Sequence, residues 1–215
     1  MASVHNQPLI SRKVNNILRK ETEHDVPMNN TFAKLDDLVA YLVKLFKVSP
    51  KEVTDTIMAW FPNPTPDREG RRSTDKKQRL RLLEVDGKYL IRYVQGHASN
   101  VNIVPEDIYY ALPIDTVPTA YHNTTEAAVP FIMSYDKKIG GLCPMKRAAV
   151  HMAPTTDSVQ LKDGKYEKVT ITVDITAAQK AGIKFWTTTK QMDDPVCSIL
   201  CLHVIPTEFV SVFEP

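Results

Sequence analysis

The chain has 215 residues, 43% of them apolar, which is ample for one large core or two compact domains and excludes a wholly disordered protein. The formal charge of +2 conceals an asymmetry: Met1–Leu112 carries 17 Lys and Arg against 14 Asp and Glu, and Pro113–Pro215 carries 10 against 11. The excess gathers in Arg68–Arg92, with nine basic and four acidic residues and a local net of +5; such a patch implies an anionic partner, nucleic acid first, against the plainer reading of a solvated loop and strand face.

The N-terminus has no apolar signal stretch and no run approaches the length of a membrane span, so a reducing intracellular compartment, cytoplasmic or nuclear, is expected, with no membrane partner. Leu9, Ile10, Val14, Ile17 and Leu18 recur at helical spacing, with Ser11 or the residues before Pro8 as cap and Arg19 and Lys20 at the helix end. The polar Glu21–Asn30 reads as a loop. A second amphipathic helix is expected over Phe32–Lys47, with Leu35, Leu38, Val39, Leu42, Val43 and Phe46 inward. Ser49-Pro50-Lys51-Glu52 supplies an N-cap, a proline at the first helical position and a glutamate three after the cap, so a third helix starts there and carries Val53, Ile57 and Trp60 inward.

Phe61–Ser73, with three prolines and a glycine, reads as a flexible connection. Two strands follow, Arg79–Val85 and Lys88–Val94, joined by Asp86-Gly87, a pair suited to a type I′ turn. The hairpin mounts Arg92 rigidly, and Gln95-Gly96-His97 can bring a glycine backbone and an imidazole beside it, a corner suited to an anion. Three helices followed by a hairpin is the order of a winged-helix module. Pro105–Leu112 reads as helical or mixed, and Pro113–Pro118 as a domain linker.

The remainder reads as short strands, notably Lys168–Ile175 and Val196–Ile205, with turns at Asp163-Gly164 and Asp193-Asp194-Pro195 and a short helix over Thr125–Ser134. Three cysteines, Cys143, Cys197 and Cys201, argue against a disulfide framework. Cys197, Cys201 and His203 share a strand face, which would allow a metal site, but the apolar VCSILCLHVI favours packing, and no metal is expected.

The familiar catalytic signatures G-x-S-x-G, the Walker loop, H-E-x-x-H and G-x-G-x-x-G are missing. In their place stand arginines set in ordered elements: Arg19 at a helix end, Arg79 and Arg92 on strands, and Arg147 before the apolar AAVHMA. Arginine stays charged at all relevant pH and grips phosphate bidentately, so several together would make a phosphate-handling site.

The ordered set ISRKVNNILRK at Ile10–Lys20, DKKQRLRL at Asp75–Leu82, LIRYVQGHAS at Leu90–Ser99, YHNT at Tyr121–Thr124 and GLCPMKRAAVHMA at Gly141–Ala153 resembles the NAD-dependent RNA 2′-phosphotransferase family. The resemblance covers about Leu9–Ala153. It implies an α+β fold with an N-terminal winged-helix RNA lobe, residues 1–112, and a C-terminal β-rich lobe of ADP-ribosyltransferase type, residues 119–215, acting as a monomer. The implied reaction uses NAD as substrate. The 2′-phosphate left on RNA at a tRNA splice junction attacks the anomeric ribose carbon of NAD and expels nicotinamide. The ribose 2″-hydroxyl then attacks that phosphate, releasing RNA with a 2′-hydroxyl and ADP-ribose 1″,2″-cyclic phosphate. The phosphate is already an ionised nucleophile, so the first step needs positioning and charge neutralisation and no protein base.

Carried over by motif, Arg19, Arg92 and Arg147 are expected to hold the RNA phosphate and assist transfer, with Lys20 standing where the family has a histidine. His122 and Thr124 match an H-G-T motif that binds NAD, and His151 a histidine at the edge of the NAD pocket. Gln78 and Arg79 match a K-Q-R motif and His97 a Q-G-H motif, in supporting or RNA-facing roles. The chain departs from the family at Lys20, at Ala98 in place of serine, at Asn123 in place of glycine, and after Phe185-Trp186, where Thr187–Asp194 lacks Asn-Gly-Val. These departures leave a second expectation: a divergent member that binds RNA, or an ADP-ribosyltransferase acting on another terminal phosphate.

Overall fold

A computed structural model describes residues 7–20, 25–29, 31–62, 71–74, 79–94, 96–99, 101, 103–136, 138, 140–156, 168–190 and 197–214. The chain divides into two compact units, Met1–Val104 and Pro105–Pro215, each a mixture of helices and antiparallel sheet. The division precedes Pro113–Pro118, the expected linker, whose Val117 is buried in the second unit's core.

In the first unit, α1 (Gln7–Lys20) buries Ile10, Val14, Ile17 and Leu18, the stripe its spacing predicts. It begins at Gln7, so Ser11 is an interior residue rather than a cap. The expected helix over Phe32–Lys47 is shorter: Phe32–Lys34 forms a strand, β2, paired with β1 (Met28–Asn29), and α2 runs from Leu35 to Phe46. The helical period holds from Leu35 onward, whereas Ala33 faces the core from a sheet. Helix α3 (Pro50–Met58) starts as predicted, with the Ser49 Oγ accepting from the Glu52 N–H at 3.1 Å and Pro50 at the first position. Trp60 lies past its end and is half-buried.

The connection before the hairpin contains a strand, β3 (Arg71–Arg72), which pairs with β4 (Leu80–Val85); β5 is Lys88–Tyr93, and the sheet order is β1-β2-β5-β4-β3. Asp86 and Gly87 both have positive φ, 50° and 72°, as a type I′ turn requires. From that turn the register runs outward in pairs, Val85 with Lys88, Leu82 with Ile91, Arg81 with Arg92 and Leu80 with Tyr93. Leu80, Leu82, Ile91 and Tyr93 join the helices in one apolar core, leaving the opposite face to Phe32, Arg92 and Arg81.

In the second unit, Pro105–Leu112 splits into α4 (Pro105–Ile108) and β6 (Tyr110–Ala111). Strand β7 (Thr119–Thr125) runs into a 3₁₀ turn at Glu126–Ala128 and α5 (Val129–Ile132), the expected short helix in two pieces. The sheet β7-β9-β12 uses β9 (Lys168–Asp174) and β12 (Val210–Val212), and the sheet β6-β10-β11-β8 uses β8 (Val150–Met152), β10 (Trp186–Thr187) and β11 (Ile199–Cys201). Paired backbone hydrogen bonds between Tyr121 and Ala153, 2.9 and 2.8 Å, join β7 to the end of β8 and link the two sheets. Asp174 caps α6 (Ile175–Lys180) through the Ala177 N–H.

The expected strand over Val196–Ile205 contracts to Ile199–Cys201. Cys197 and Cys201 are buried, His203 is exposed, and burial pushes the Cys201 thiol pKa up while a hydrogen bond to the His203 carbonyl opposes it. The thiol is packing material, as the apolar flanks predict. Among the described residues no group of three or more His, Cys, Asp or Glu could hold a metal, and no helix is long and apolar enough to cross a membrane. The turns at Asp163-Gly164 and Asp193-Asp194-Pro195 lie outside the described residues.

The hairpin turn gives a direct test. No atom lies within 4 Å of where a Cβ at Gly87 would sit, so Gly87→Ala carries only the left-handed backbone penalty. A loss of about 1 kcal/mol in unfolding free energy is expected by chemical denaturation. Asp86→Asn, at a position that asparagine tolerates, should be near neutral.

Candidate active site

The first unit brings Arg19, Arg92 and His97 together. Arg92 is 8% exposed and its guanidinium lies over the Phe32 ring, 4.8 Å from the centroid, the neighbour that the β2–β5 register gives it. Arg19 leaves the end of α1 and donates from Nε to the Gly96 carbonyl at 2.9 Å, with its guanidinium over the Tyr93 ring at 5.7 Å. The Ala98 N–H donates in turn to the Arg19 carbonyl at 3.1 Å. Gly96 has φ 76°, a backbone that few other residues adopt, and this conformation presents its carbonyl to Arg19. The glycine of this corner therefore also orients Arg19.

His97 is buried edge-on to Tyr93, with ring centroids 6.2 Å apart. Burial lowers its pKa from 6.5 to about 4; a hydrogen bond to the Tyr93 backbone opposes the shift, and the charges of Arg92 and Arg19 add to it. The ring is neutral at physiological pH, and the arginines carry the positive charge. Lys20 is half-buried beside Arg19 at the helix end. Arg79, half-buried just before β4, anchors the hairpin base through its carbonyl, which accepts from the Val94 N–H at 2.8 Å. Gln78 lies outside the described residues.

The second unit brings His122, His151 and Arg147 together. The His122 Nδ1 is 2.8 Å from the His151 carbonyl oxygen. A carbonyl only accepts, so Nδ1 carries the proton, and the neutral ring offers Nε2 as an acceptor. Burial lowers the His122 pKa, the His151 hydrogen bond opposes this, and the nearby Arg147 charge adds to it. Thr124 follows His122 on the same strand face. Asn123 points to the other face, where its Oδ1 accepts from the Thr170 Oγ1 at 3.0 Å, so this replacement for glycine takes no space beside His122 and Thr124. Where Asn-Gly-Val is lacking, Thr187, Thr188 and Thr189 are buried. The Thr187 Oγ1 donates to the Thr189 carbonyl at 2.6 Å, and the Thr188 Oγ1 accepts from the Ser198 N–H at 3.0 Å.

A family model for the RNA 2′-phosphotransferase, Tpt1 / KptA family matches residues 71–192, more than half of the chain. The chain belongs to this family. No match is found among the curated proteins. The part that matches the RNA 2′-phosphotransferases contains Arg79, Arg92, His97, His122, Thr124, Arg147 and His151; Arg19 and Lys20 precede it. In this member of the family the helix-end arginine is tied to the matched segment by the Arg19–Gly96 hydrogen bond.

Sequence reasoning passed over Phe32, Tyr93 and Arg81, all of which contact or face the named arginines. A signal for Arg81 was present: a two-residue turn at Asp86-Gly87 fixes which residues oppose one another, and five steps outward from Val85–Lys88 that pairing reaches Leu80–Tyr93 through Arg81–Arg92.

The buried imidazole makes a pH prediction. Between pH 6.5 and about 4 the unfolded chain binds a proton at His97 that the folded chain refuses, so stability is full above that window and falls as pH falls through it. The loss amounts to roughly 3 kcal/mol. His97→Gln removes this component. The fall in unfolding free energy between about pH 7 and about pH 4 should therefore shrink by that amount in the variant, with the contribution of His122 remaining, and an unchanged acid loss would reject the assignment.

Proposed function

We propose that the protein removes a 2′-phosphate from RNA by NAD-dependent transfer to ADP-ribose, releasing nicotinamide and ADP-ribose 1″,2″-cyclic phosphate, with a tRNA splice junction as the RNA substrate. The observation that carries this reading is the clustering of Arg19 and Arg92 around a neutral His97, in a chain of the RNA 2′-phosphotransferase family. Arg19, Arg92 and Arg147 are assigned to the phosphoryl charge. Their guanidinium groups stay protonated throughout and need no proton exchange as charge moves. Lys20 adds a point charge where the family has a directed imidazole donor. Gln78, Arg79 and His97 are assigned to supporting the hairpin and facing RNA.

His122, Thr124 and His151 are assigned to NAD. The donor set fits a dinucleotide's hydroxyls: the His122 Nε2 accepts, and the Thr124 hydroxyl both donates and accepts. When bound, NAD supplies an electrophilic ribose carbon with nicotinamide as its leaving group. The His151 carbonyl fixes the His122 tautomer, and Asn123 leaves that face clear. The winged-helix and ADP-ribosyltransferase descriptions of the two units belong to the same proposal; helices α1–α3 with the β4–β5 hairpin, and two linked antiparallel sheets, support them.

The test is nicotinamide release from NAD with and without a 2′-phosphorylated oligoribonucleotide, together with the appearance of the 2′-hydroxyl product. Both are expected with the wild type, and Arg92→Ala is expected to lose about 10²-fold or more of the rate. No nicotinamide release at high protein concentration would reject the reading. Lys20 supports a second reading, RNA binding or ADP-ribosyl transfer to another terminal phosphate. Lys20→His separates the two: a gain in 2′-phosphate removal of about tenfold or more favours the first, and unchanged turnover with firm RNA binding favours the second.

A further inference from the structure

Positive charge in the C-terminal half of the chain is concentrated in one stretch. Residues 131–147 carry four basic residues against one acidic, a net of +3, whereas the rest of Pro113–Pro215 carries six against ten. The same stretch holds the two most exposed of the described Phe, Tyr and Trp side chains: Phe131 on α5 and Tyr135 just after it are 63% and 83% exposed. Ile132 packs into the core and leaves the Phe131 ring outside. Hydrogen bonds fix the loop that mounts these rings. The buried Thr207 hydroxyl lies 3.0 and 2.7 Å from the Ile132 and Ser134 carbonyls, and the Gly141 N–H donates to the Ile132 carbonyl at 2.9 Å. The Asp136 carboxylate accepts from the Lys138 N–H at 2.9 Å, so the one acid of the stretch holds its own turn. Beyond Gly141, Leu142 pairs with Ile205, and a turn closed by the Arg147 N–H on the Pro144 carbonyl at 3.1 Å carries exposed Lys146 and Arg147. The Arg147 charge acts on His122, so this end of the surface lies at the site assigned to NAD.

We propose that this surface is a platform for single-stranded RNA, on which Phe131 and Tyr135 stack with bases flanking the phosphate-bearing nucleotide and Lys138 and Lys146 meet the intervening backbone phosphates. It rests on the RNA reading given above and concerns the flanking nucleotides rather than the reacting phosphate. Exposed rings in a group mark an interaction surface, and the charge around them decides the partner. Lysine is depleted at protein interfaces, whereas a single strand is held by cations along its backbone and by aromatic rings under its bases. A loop already held by hydrogen bonds loses little freedom when such a strand binds.

The experiment measures equilibrium binding of the full chain to three probes: a single-stranded oligoribonucleotide with one internal 2′-phosphate, the same strand without it, and a 2′-phosphorylated dinucleotide, which lacks flanking bases. Tyr135→Ala and Phe131→Ala should each weaken both long strands about tenfold and leave the dinucleotide unchanged, while Tyr135→Phe, which keeps the ring, should bind as the wild type does. Lys138→Gln with Lys146→Gln should flatten the salt dependence of long-strand binding by about two in the slope of log affinity against log salt. Unchanged long-strand affinity in both alanine variants overturns the proposal, as does an equal loss on the dinucleotide, which would mean general damage to the fold. A shift in sedimentation of Tyr135→Ala with RNA affinity intact would assign the patch to a second copy of the chain and likewise overturns it. Nicotinamide release by the wild type is read separately: binding of the long strands through the two rings without any release overturns the phosphotransferase reading and supports the platform.

Discussion

The register that the Asp86-Gly87 turn imposes on β4 and β5 determines which side chains meet in the first unit. One face carries Leu80, Leu82, Ile91 and Tyr93 into the core under the helices, and the other carries Arg81 and Arg92. Because the side-chain period of a strand is two, a slip of one residue would drive two guanidinium groups among the leucines and isoleucines of the helices. The apolar face thus holds the charged face in place, and the cost of misplacing an arginine makes the pairing specific.

In each unit an imidazole lies near an arginine. Burial holds both His97 and His122 below the ordinary histidine range, so each offers a directed neutral nitrogen near pH 7, with the Arg92 and Arg19 charges adding to the shift of the first and the Arg147 charge to that of the second. That arrangement suits the proposed reaction, whose nucleophile would arrive already ionised and would ask for fixed positive charge and alignment.

Much of this was legible from residue order. The Ser49-Pro50 start of α3, the α1 stripe and the type I′ turn follow from local chemistry, and local chemistry governs them in the fold. Phe32–Lys34 differs from the expected helix because its apolar residues extend the helical pattern of α2, whereas pairing with β1 on one side and with β5, some sixty positions away, on the other makes it a strand. Residue order also does not show what reaches the Gly96 carbonyl, because the donor comes from a helix 77 residues earlier. Asn123 stands where the family motif has glycine, and the alternation of a strand turns its side chain toward Thr170, which a linear motif does not show.

The Arg19–Gly96 hydrogen bond also bears on how the protein can be dissected. A fragment trimmed to residues 71–192 would keep β4 and β5 yet lose α1, α2, α3 and β2. Strand β5 would then become an open sheet edge, its apolar face would lie bare, and Phe32 would no longer cover Arg92. The recognisable segment is therefore smaller than the folded one: the helices that precede it are the mould in which its hairpin arginines are cast.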